Sequence, residues 1–258
     1  MDFTGKTIWI TGASSGIGAA LAQAFAKAGA HLILSGRRQD ALRDLAATLS
    51  GEPHILPFEA TDFPTLPTLA AQAWAWRGGI DLLINNAGIS QRSLAIDTGM
   101  DVYRQIMEVD FFAPVALTQA VLPLMVARKS GHIAAVSSVA GKLGSPLRSG
   151  YSAAKHALIG YCDSLRAEIE QAYHIGVTTI LPGSVRTQIA TNALLGDGSV
   201  RGVSDANIDN GMDPHAVAQT ILAGLRDGTR EILIAEGAEA MAAQLRTQNP
   251  EALFDAMA

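Results

Sequence analysis

The chain of 258 residues has one cysteine, Cys162. A lone thiol excludes an internal disulfide and cannot build a paired-cysteine metal or redox site. The six histidines fall at no HxxxH or HExxH spacing, so no metal site is expected. Lysine and arginine form no basic run, and the net charge is -5, which argues against DNA or RNA as a partner. No uninterrupted apolar stretch reaches about eighteen residues, so no membrane-spanning helix is expected. The opening residues Met1 to Lys6 lack a charged stretch followed by a long apolar one, the mark of a signal peptide. A soluble cytoplasmic protein is the expectation.

What is present is a core former. Hydrophobic residues make up 48% of the chain, and no Pro/Gly/Ser-rich linker divides it. One domain over 1–258 is therefore expected. Short apolar runs alternate with longer amphipathic ones. Strands are read at 7–10, 31–34, 54–56, 81–84, 131–136, 176–180 and 231–234. Helices are read at 17–28, 40–49, 65–76, 100–128 and 151–173, with one more after Asp213-Pro214. Continuous apolar strands imply burial on both faces, and the intervening helices supply the crossovers that parallel pairing needs. The fold class is α/β: a Rossmann-like, doubly wound parallel sheet of about seven strands with helices on both faces. Ligands of such sheets bind beyond the carboxyl ends of the strands.

Directly after the first strand comes Thr11-Gly12-Ala13-Ser14-Ser15-Gly16-Ile17-Gly18. Glycines there let the backbone turn tightly and approach a pyrophosphate, and the next helix points its free amides at the phosphates. Ser14 and Ser15 are further phosphate candidates. The pattern is GxxxGxG, neither a P-loop nor GxGxxG. After the second strand, where an acid often holds ribose hydroxyls, stand Gly36, Arg37 and Arg38. Two guanidiniums suit a 2′-phosphate, and Gly36 leaves room for it. The expected cofactor is NADP(H).

Tyr151 and Lys155 lie one helical turn apart and so share a helix face. A phenol is a sluggish acid or base at neutral pH, and a fixed cation beside it favours its phenolate. Ser138, just past the fifth strand, is placed to hold a substrate oxygen beside that phenol. Ser90, Gln91 and Arg92 are within reach of a substrate, while Leu143, Leu147 and Arg148 line the pocket entrance. The polar, glycine-rich stretch at about 188–211 reads as a mobile lid. On the same helix as Tyr151, His156 reads as a packed or interface residue and Cys162 as a buried one.

Together these residues resemble the short-chain dehydrogenase/reductase family in its single-domain form, over about 4–235. TGASSGIG at 11–18 is similar to that family's cofactor turn, and Asn85-Asn86-Ala87-Gly88 to its NNAG motif. Ser138, Tyr151 and Lys155 match its catalytic set, and Pro182-Gly183 with Thr187 its PG motif. NNAGISQRSL at 85–94, ARKSGHI at 127–133 and SPLRSGYSAAKHAL at 145–158 are further similar to the branch called dehydrogenase/reductase member seven and its bacterial relatives.

The resemblance implies roles. Tyr151 exchanges the proton with substrate. Lys155 supports that exchange and binds the nicotinamide ribose. Ser138 orients the carbonyl, with Gln91 and Leu143 as further substrate contacts. Gly12, Ile17, Asn86, Gly88, Val185 and Thr187 contact the cofactor, and Pro182 and Gly183 shape its nicotinamide pocket. Two positions depart from the family. Its fourth catalytic member is usually Asn, whose backbone carbonyl holds a water that reaches Lys155; here the residue is Asp110, a negative charge that demands a partner if buried. The acid usually offered to the adenine amine is aligned with Glu59 or Asp62, and the contact is expected near Glu59 and Ala60. The resemblance also implies a homodimer or homotetramer through the long helices at about 100–128 and 151–173.

Three functions follow as expectations. The first is an NADP(H)-dependent carbonyl reductase or alcohol dehydrogenase. The second is a reductase of 3-oxoacyl thioesters, with Arg92, Arg128, Lys129 and Arg148 as cations for a carrier phosphopantetheine. The third is a non-catalytic NADP(H)-binding protein.

Overall fold

The computed structural model describes residues 1–257. Among these, seven strands form one parallel sheet in the order β3-β2-β1-β4-β5-β6-β7. They are β1 (Thr7–Ile10), β2 (His31–Leu34), β3 (His54–Ile55), β4 (Leu82–Asn85), β5 (Gly131–Val136), β6 (Ile175–Pro182) and β7 (Glu231–Ile234). Every residue of β1 and β4 is buried, which is why both read as nearly unbroken apolar runs. At the sheet edge β7 alternates exposed and buried residues.

The helices are α1 (Gly16–Lys27), α2 (Gln39–Ala47), α3 (Leu66–Arg77), α4 (Met100–Met107), α5 (Ala113–Arg128), α6 (Ser149–Tyr173), α7 (Ala206–Asp209), α8 (Pro214–Arg226), α9 (Gly237–Gln248) and α10 (Pro250–Met257). Side chains alternate along β1, so Ile8 and Ile10 meet Leu21 and Phe25 of α1 and Ile221 and Leu225 of α8 on one face. Trp9 points to the other face, with Ala70 of α3, Leu117 and Val121 of α5 and Leu158 of α6. Strand β1 pairs with β2 on one side and β4 on the other. The connections therefore diverge at its carboxyl end and open a crevice there.

Three features depart from the sequence reading. The helix expected over 100–128 is interrupted by a π-turn at Glu108–Phe112, which joins α4 to α5. Such turns recur at functional sites, and this one carries Asp110. Helix α6 begins at Ser149, so Tyr151 lies in its first turn. Beyond β7 the chain continues into α9 and α10, two helices that the strand and helix periodicities do not reveal. One helical stretch is also more apolar than the sequence reading allowed. The helical stretch Met100–Arg128 has a mean hydropathy of 1.7 over its most apolar window and is, by length and composition, apolar enough to cross a membrane. In this fold one side of it packs on the sheet through Leu117, Val121 and Met125.

Candidate active site

The glycine turn joins β1 to α1. Gly12 has a φ of 62°, and a side chain there would bring a carbon within 2.8 Å of the Ala87 Cα. At Gly18 an added carbon would lie 2.3 Å from the Gly12 carbonyl oxygen. Thr11 fastens this turn to the NNAG segment: its hydroxyl accepts the amides of Asn86 and Ala87, both at 3.0 Å. The Asn86 side chain donates back to the Thr11 carbonyl at 2.9 Å. Asn86 thus holds the two loops in register, with Thr11, the first residue of the glycine motif, as its partner. The first turn of α1 contains no acid, and its N-cap Ser15 makes no side-chain capping bond. The helix end therefore keeps free amides and a hydroxyl suited to a phosphate. Ile17 is partly buried and packs onto the core beneath.

Past β2, Arg37 and Arg38 are exposed. Arg38 donates to the Ser14 hydroxyl at 3.3 Å. Arg37 lies 3.7 Å from the Glu59 carboxylate, in the loop that also carries Ala60. The sheet thus brings Ser14, Arg37, Arg38 and Glu59 to one end of the crevice. Both arginines stay reachable, and both are tethered on the protein side.

The catalytic candidates gather at the other end. The 3-10 turn Val139–Gly141 is capped by Ser138, whose hydroxyl accepts the Ala140 amide at 3.1 Å. The same hydroxyl donates to the Pro182 carbonyl at 3.2 Å, which ties β5 to the PG segment. The neighbouring Ser137 hydroxyl donates to the Lys155 carbonyl at 3.0 Å and docks α6 against β5. The Lys155 amine lies 5.7 Å from the centre of the Tyr151 ring and donates to the Val136 carbonyl at 3.1 Å. Its other neighbour is Asp110, 3.4 Å away; the two side chains are 4% and 0% exposed. Asp110 also accepts the Ile89 amide at 2.8 Å. Burial pushes its carboxyl above the ordinary carboxylate range, against the pull of Lys155 and the Ile89 amide.

The segment after β6 closes the crevice. Val185 is buried and bridges to Met212. Thr187 lies against the glycine turn, its methyl 3.0 Å from where a side chain on Gly16 would begin. The segment is held from the far end of the chain by Glu239 of α9. Its carboxylate accepts the Ser184 amide at 2.7 Å and the Ser184 hydroxyl at 2.8 Å. No motif marks Glu239, and no signal short of the fold could have found it.

Gln91 differs from expectation. It is fully buried, its carbonyl accepts the Gly150 amide at 2.8 Å, and its amide group donates to Ser93 and Thr98. It braces the first turn of α6 next to Tyr151 rather than facing an open pocket. Leu143 is partly buried just beyond the Val139–Gly141 turn. Arg92 is also buried. It donates to Asp205 at 2.9 Å, and Asp205 takes a second guanidinium from Arg201 at 3.0 Å. Burial and then the guanidinium of Arg148 work against the charge of Arg92, while Asp205 supports it. The 188–211 segment is further bridged to the loop after β4 through Leu194 and Gln91, and its Gly196 carbonyl accepts the Gly99 amide at 2.8 Å, so it is fastened to that loop at three points. Cys162 is buried and its thiol pushed up to about 11 by burial, a poor nucleophile.

Comparison with known proteins agrees with this geometry. The sequence pattern described as short chain dehydrogenase matches residues 6–196. The chain is 42% identical to dehydrogenase/reductase SDR family member 7B of Xenopus laevis, over 96% of this chain and 79% of that one. It is 40% identical to a dehydrogenase/reductase SDR family protein 7-like of Drosophila melanogaster, over 98% and 80% of the two chains. Among solved structures, a short-chain dehydrogenase from Streptomyces avermitilis superposes with a TM-score of 0.82 at 30% identity, over 98% of this chain and 95% of that one. A short chain dehydrogenase/reductase from Burkholderia phymatum in complex with NAD shares the fold with a TM-score of 0.87 at 24% identity, over 98% and 96% of the two chains. Fold and site define an oxidoreductase that uses a nicotinamide cofactor. The chain belongs to the short-chain dehydrogenase/reductase family, and its similarity to the member 7B proteins extends over nearly its whole length.

Proposed function

We propose that this protein is an NADP(H)-dependent reductase of carbonyl compounds, or the alcohol dehydrogenase of the reverse reaction. The observation that carries the reading is the cluster of Tyr151, Lys155 and Ser138 at the carboxyl end of the sheet, with the Lys155 amine 5.7 Å from the Tyr151 ring. The preference for NADP(H) rests on Arg37 and Arg38, exposed past β2 with Glu59 the acid paired to Arg37. Guanidinium forks match a phosphate monoester in charge and shape.

The cofactor fits the residues present. The uncapped N-terminus of α1 would take the pyrophosphate, Arg37 and Arg38 would hold the 2′-phosphate, and Lys155 would serve the ribose. Asn86, Gly88, Pro182, Gly183, Val185 and Thr187 would line the nicotinamide end. When bound, the reduced nicotinamide supplies the hydride. Ser138 orients the substrate oxygen by hydrogen bond. Tyr151 donates its phenolic proton to that oxygen as negative charge develops, and Lys155 steadies the phenolate left behind. The 188–211 segment acts as the lid, excluding water from the exchange.

Nothing favours the thioester reading. Of its four cations, Arg92 is committed to Asp205. Arg128 stacks on Trp74 at 4.7 Å, and Lys129 caps α5 beside it, both at the amino end of β5. That leaves Arg148, at the start of α6, as a lone cation. A second copy of this chain is the proposed macromolecular partner. Ala153, Gly160 and Ala167 are exposed along α6, and small residues permit close helix approach. The test of the activity is a screen of ketones and secondary alcohols read by NADPH absorbance. Tyr151→Phe is expected to lose about a thousandfold in turnover while keeping cofactor affinity. Full activity in that variant refutes the reading.

A further inference from the structure

Asp110 stands where the family carries an amide. The structure makes that substitution consequential, because the carboxylate is aimed at the catalytic lysine. One oxygen accepts the Ile89 amide. The other is buried, accepts no hydrogen bond, and has the Lys155 amine 3.4 Å away as its charged neighbour. Gly88 lies alongside the pair. A side-chain carbon there would lie 3.3 Å from Asp110 Oδ1 and 3.4 Å from Lys155 Nζ, in contact with both. The charged and titratable groups around the pair are few. Helix α6 contributes Lys155 and Tyr151, with the exposed His156 and, against Phe111, Tyr161 further along; the π-turn contributes Glu108 beside Asp110 itself. Helix α4 offers Tyr103, whose hydroxyl meets that of Ser149 at 2.8 Å, and Arg104, which is exposed and paired with Asp101. Strand β5 offers only His132, at its opposite end, α5 only Arg128 in its last turn, and the loop 86–89 none. Among the described residues, Lys155 is the charged side chain that acts on Asp110.

We infer that Asp110 acts as a fixed counter-ion to Lys155 and thereby sets the pH at which the Tyr151–Lys155 pair gives up its proton. Asp110 is a positioning residue here, since it reaches the substrate only through the lysine and the phenol. An amide at this position leaves the lysine charge unopposed. With Asp110 ionised, the site carries one more negative charge, so removing a proton from it costs more and happens at higher pH. The alkaline limb of activity is thereby extended. The inference rests on the oxidoreductase reading above for its kinetic test, and not for its spectroscopic one.

The experiment compares the wild type with Asp110→Asn and with Asp110→Ser, which removes the same charge by a smaller side chain. The pH–rate profile of carbonyl reduction is recorded for each. Both variants are expected to lose activity at lower pH than the wild type, by about one pH unit. In parallel, tyrosinate absorbance is titrated in the wild type and in Asp110→Asn, each against the same protein with Tyr151→Phe added, and the difference isolates Tyr151. That difference curve is expected to move to lower pH in Asp110→Asn. Coincident curves for wild type and variants overturn the inference, because they mean the carboxyl is uncharged throughout. A uniform fall in turnover with no displacement, in folded protein, also overturns it. If the wild type reduces no carbonyl, the carbonyl-reductase reading falls, while the tyrosinate titration still decides the role of Asp110.

Discussion

Glu239 and Ser184 meet from opposite ends of the fold's last third, and the glutamate accepts both the amide and the hydroxyl of the serine. The PG segment is thus clamped by a helix that lies beyond the resemblance read from sequence. Ser184 also accepts the Met212 amide at 3.0 Å through its carbonyl, so the segment is fixed on two sides.

Removing the clamp is expected to loosen the wall of the nicotinamide pocket. Glu239→Ala is expected to weaken NADPH binding by roughly tenfold, consistent with losing charge-assisted hydrogen bonds worth about 1.5–3 kcal/mol. Fluorescence titration of the cofactor measures it. Unchanged affinity shows that the clamp has no part in the pocket.

Arg37 is expected to read the 2′-phosphate. Arg37→Asp places an acid beside Glu59 and is expected to cost about tenfold or more in NADPH affinity, about 1.4 kcal/mol or above, while improving use of NADH. The ratio of kcat/KM for the two cofactors is the readout. A ratio equal to the wild type's assigns the phosphate to other residues.

The lid is expected to depend on Arg92. Its side chain is 6% exposed and paired with Asp205, which Arg201 also serves. Without that guanidinium Asp205 keeps Arg201 and the Ile208 amide, so the loss is that of charge-assisted hydrogen bonds in a partly buried site, about 1.5–3 kcal/mol. Arg92→Ala is therefore expected to lower the melting temperature by on the order of 10 °C. Limited proteolysis is expected to cut first within 188–211. A variant that melts with the wild type and is cut elsewhere refutes the anchor.

Stability is expected to fall in mild acid because of His132. Burial pushes this imidazole down to about 4 from 6.5, and its Nε2 lies 2.9 Å from the Thr178 hydroxyl. Between about pH 6.5 and 4 the unfolded chain binds the proton and the folded one does not, so stability declines as pH falls through that window and levels off below it. The loss is about 3 kcal/mol at most. Urea melts at neutral pH and near the lower end of the window measure it. His132→Asn is expected to flatten the dependence, and an equal slope in that variant refutes the assignment.

The most legible parts of the chain are those written locally. The strand at 131–136 and the edge strand at 231–234 are read to the residue, since an apolar run bounded by turn residues carries its own boundaries. The YxxxK spacing marks Tyr151 and Lys155 because a helix has a fixed pitch. Gln91 misleads for the opposite reason: a polar residue after NNAG looks solvated until α6 is docked on it and Gly150 donates its amide to it. The interruption at Glu108–Phe112 is invisible because a π-turn keeps helical composition.

What the chain determined by itself is the sheet, its crossovers, and the residue types that chemistry demands. These follow from periodicity and backbone sterics over a few neighbouring positions. Only the tertiary structure decided that Asp110 faces Lys155, that Glu239 holds Ser184, and that Arg92 fastens Asp205. Each is a contact between residues distant in sequence, formed because packing brought two elements within hydrogen-bond reach, and no local pattern encodes such a distance.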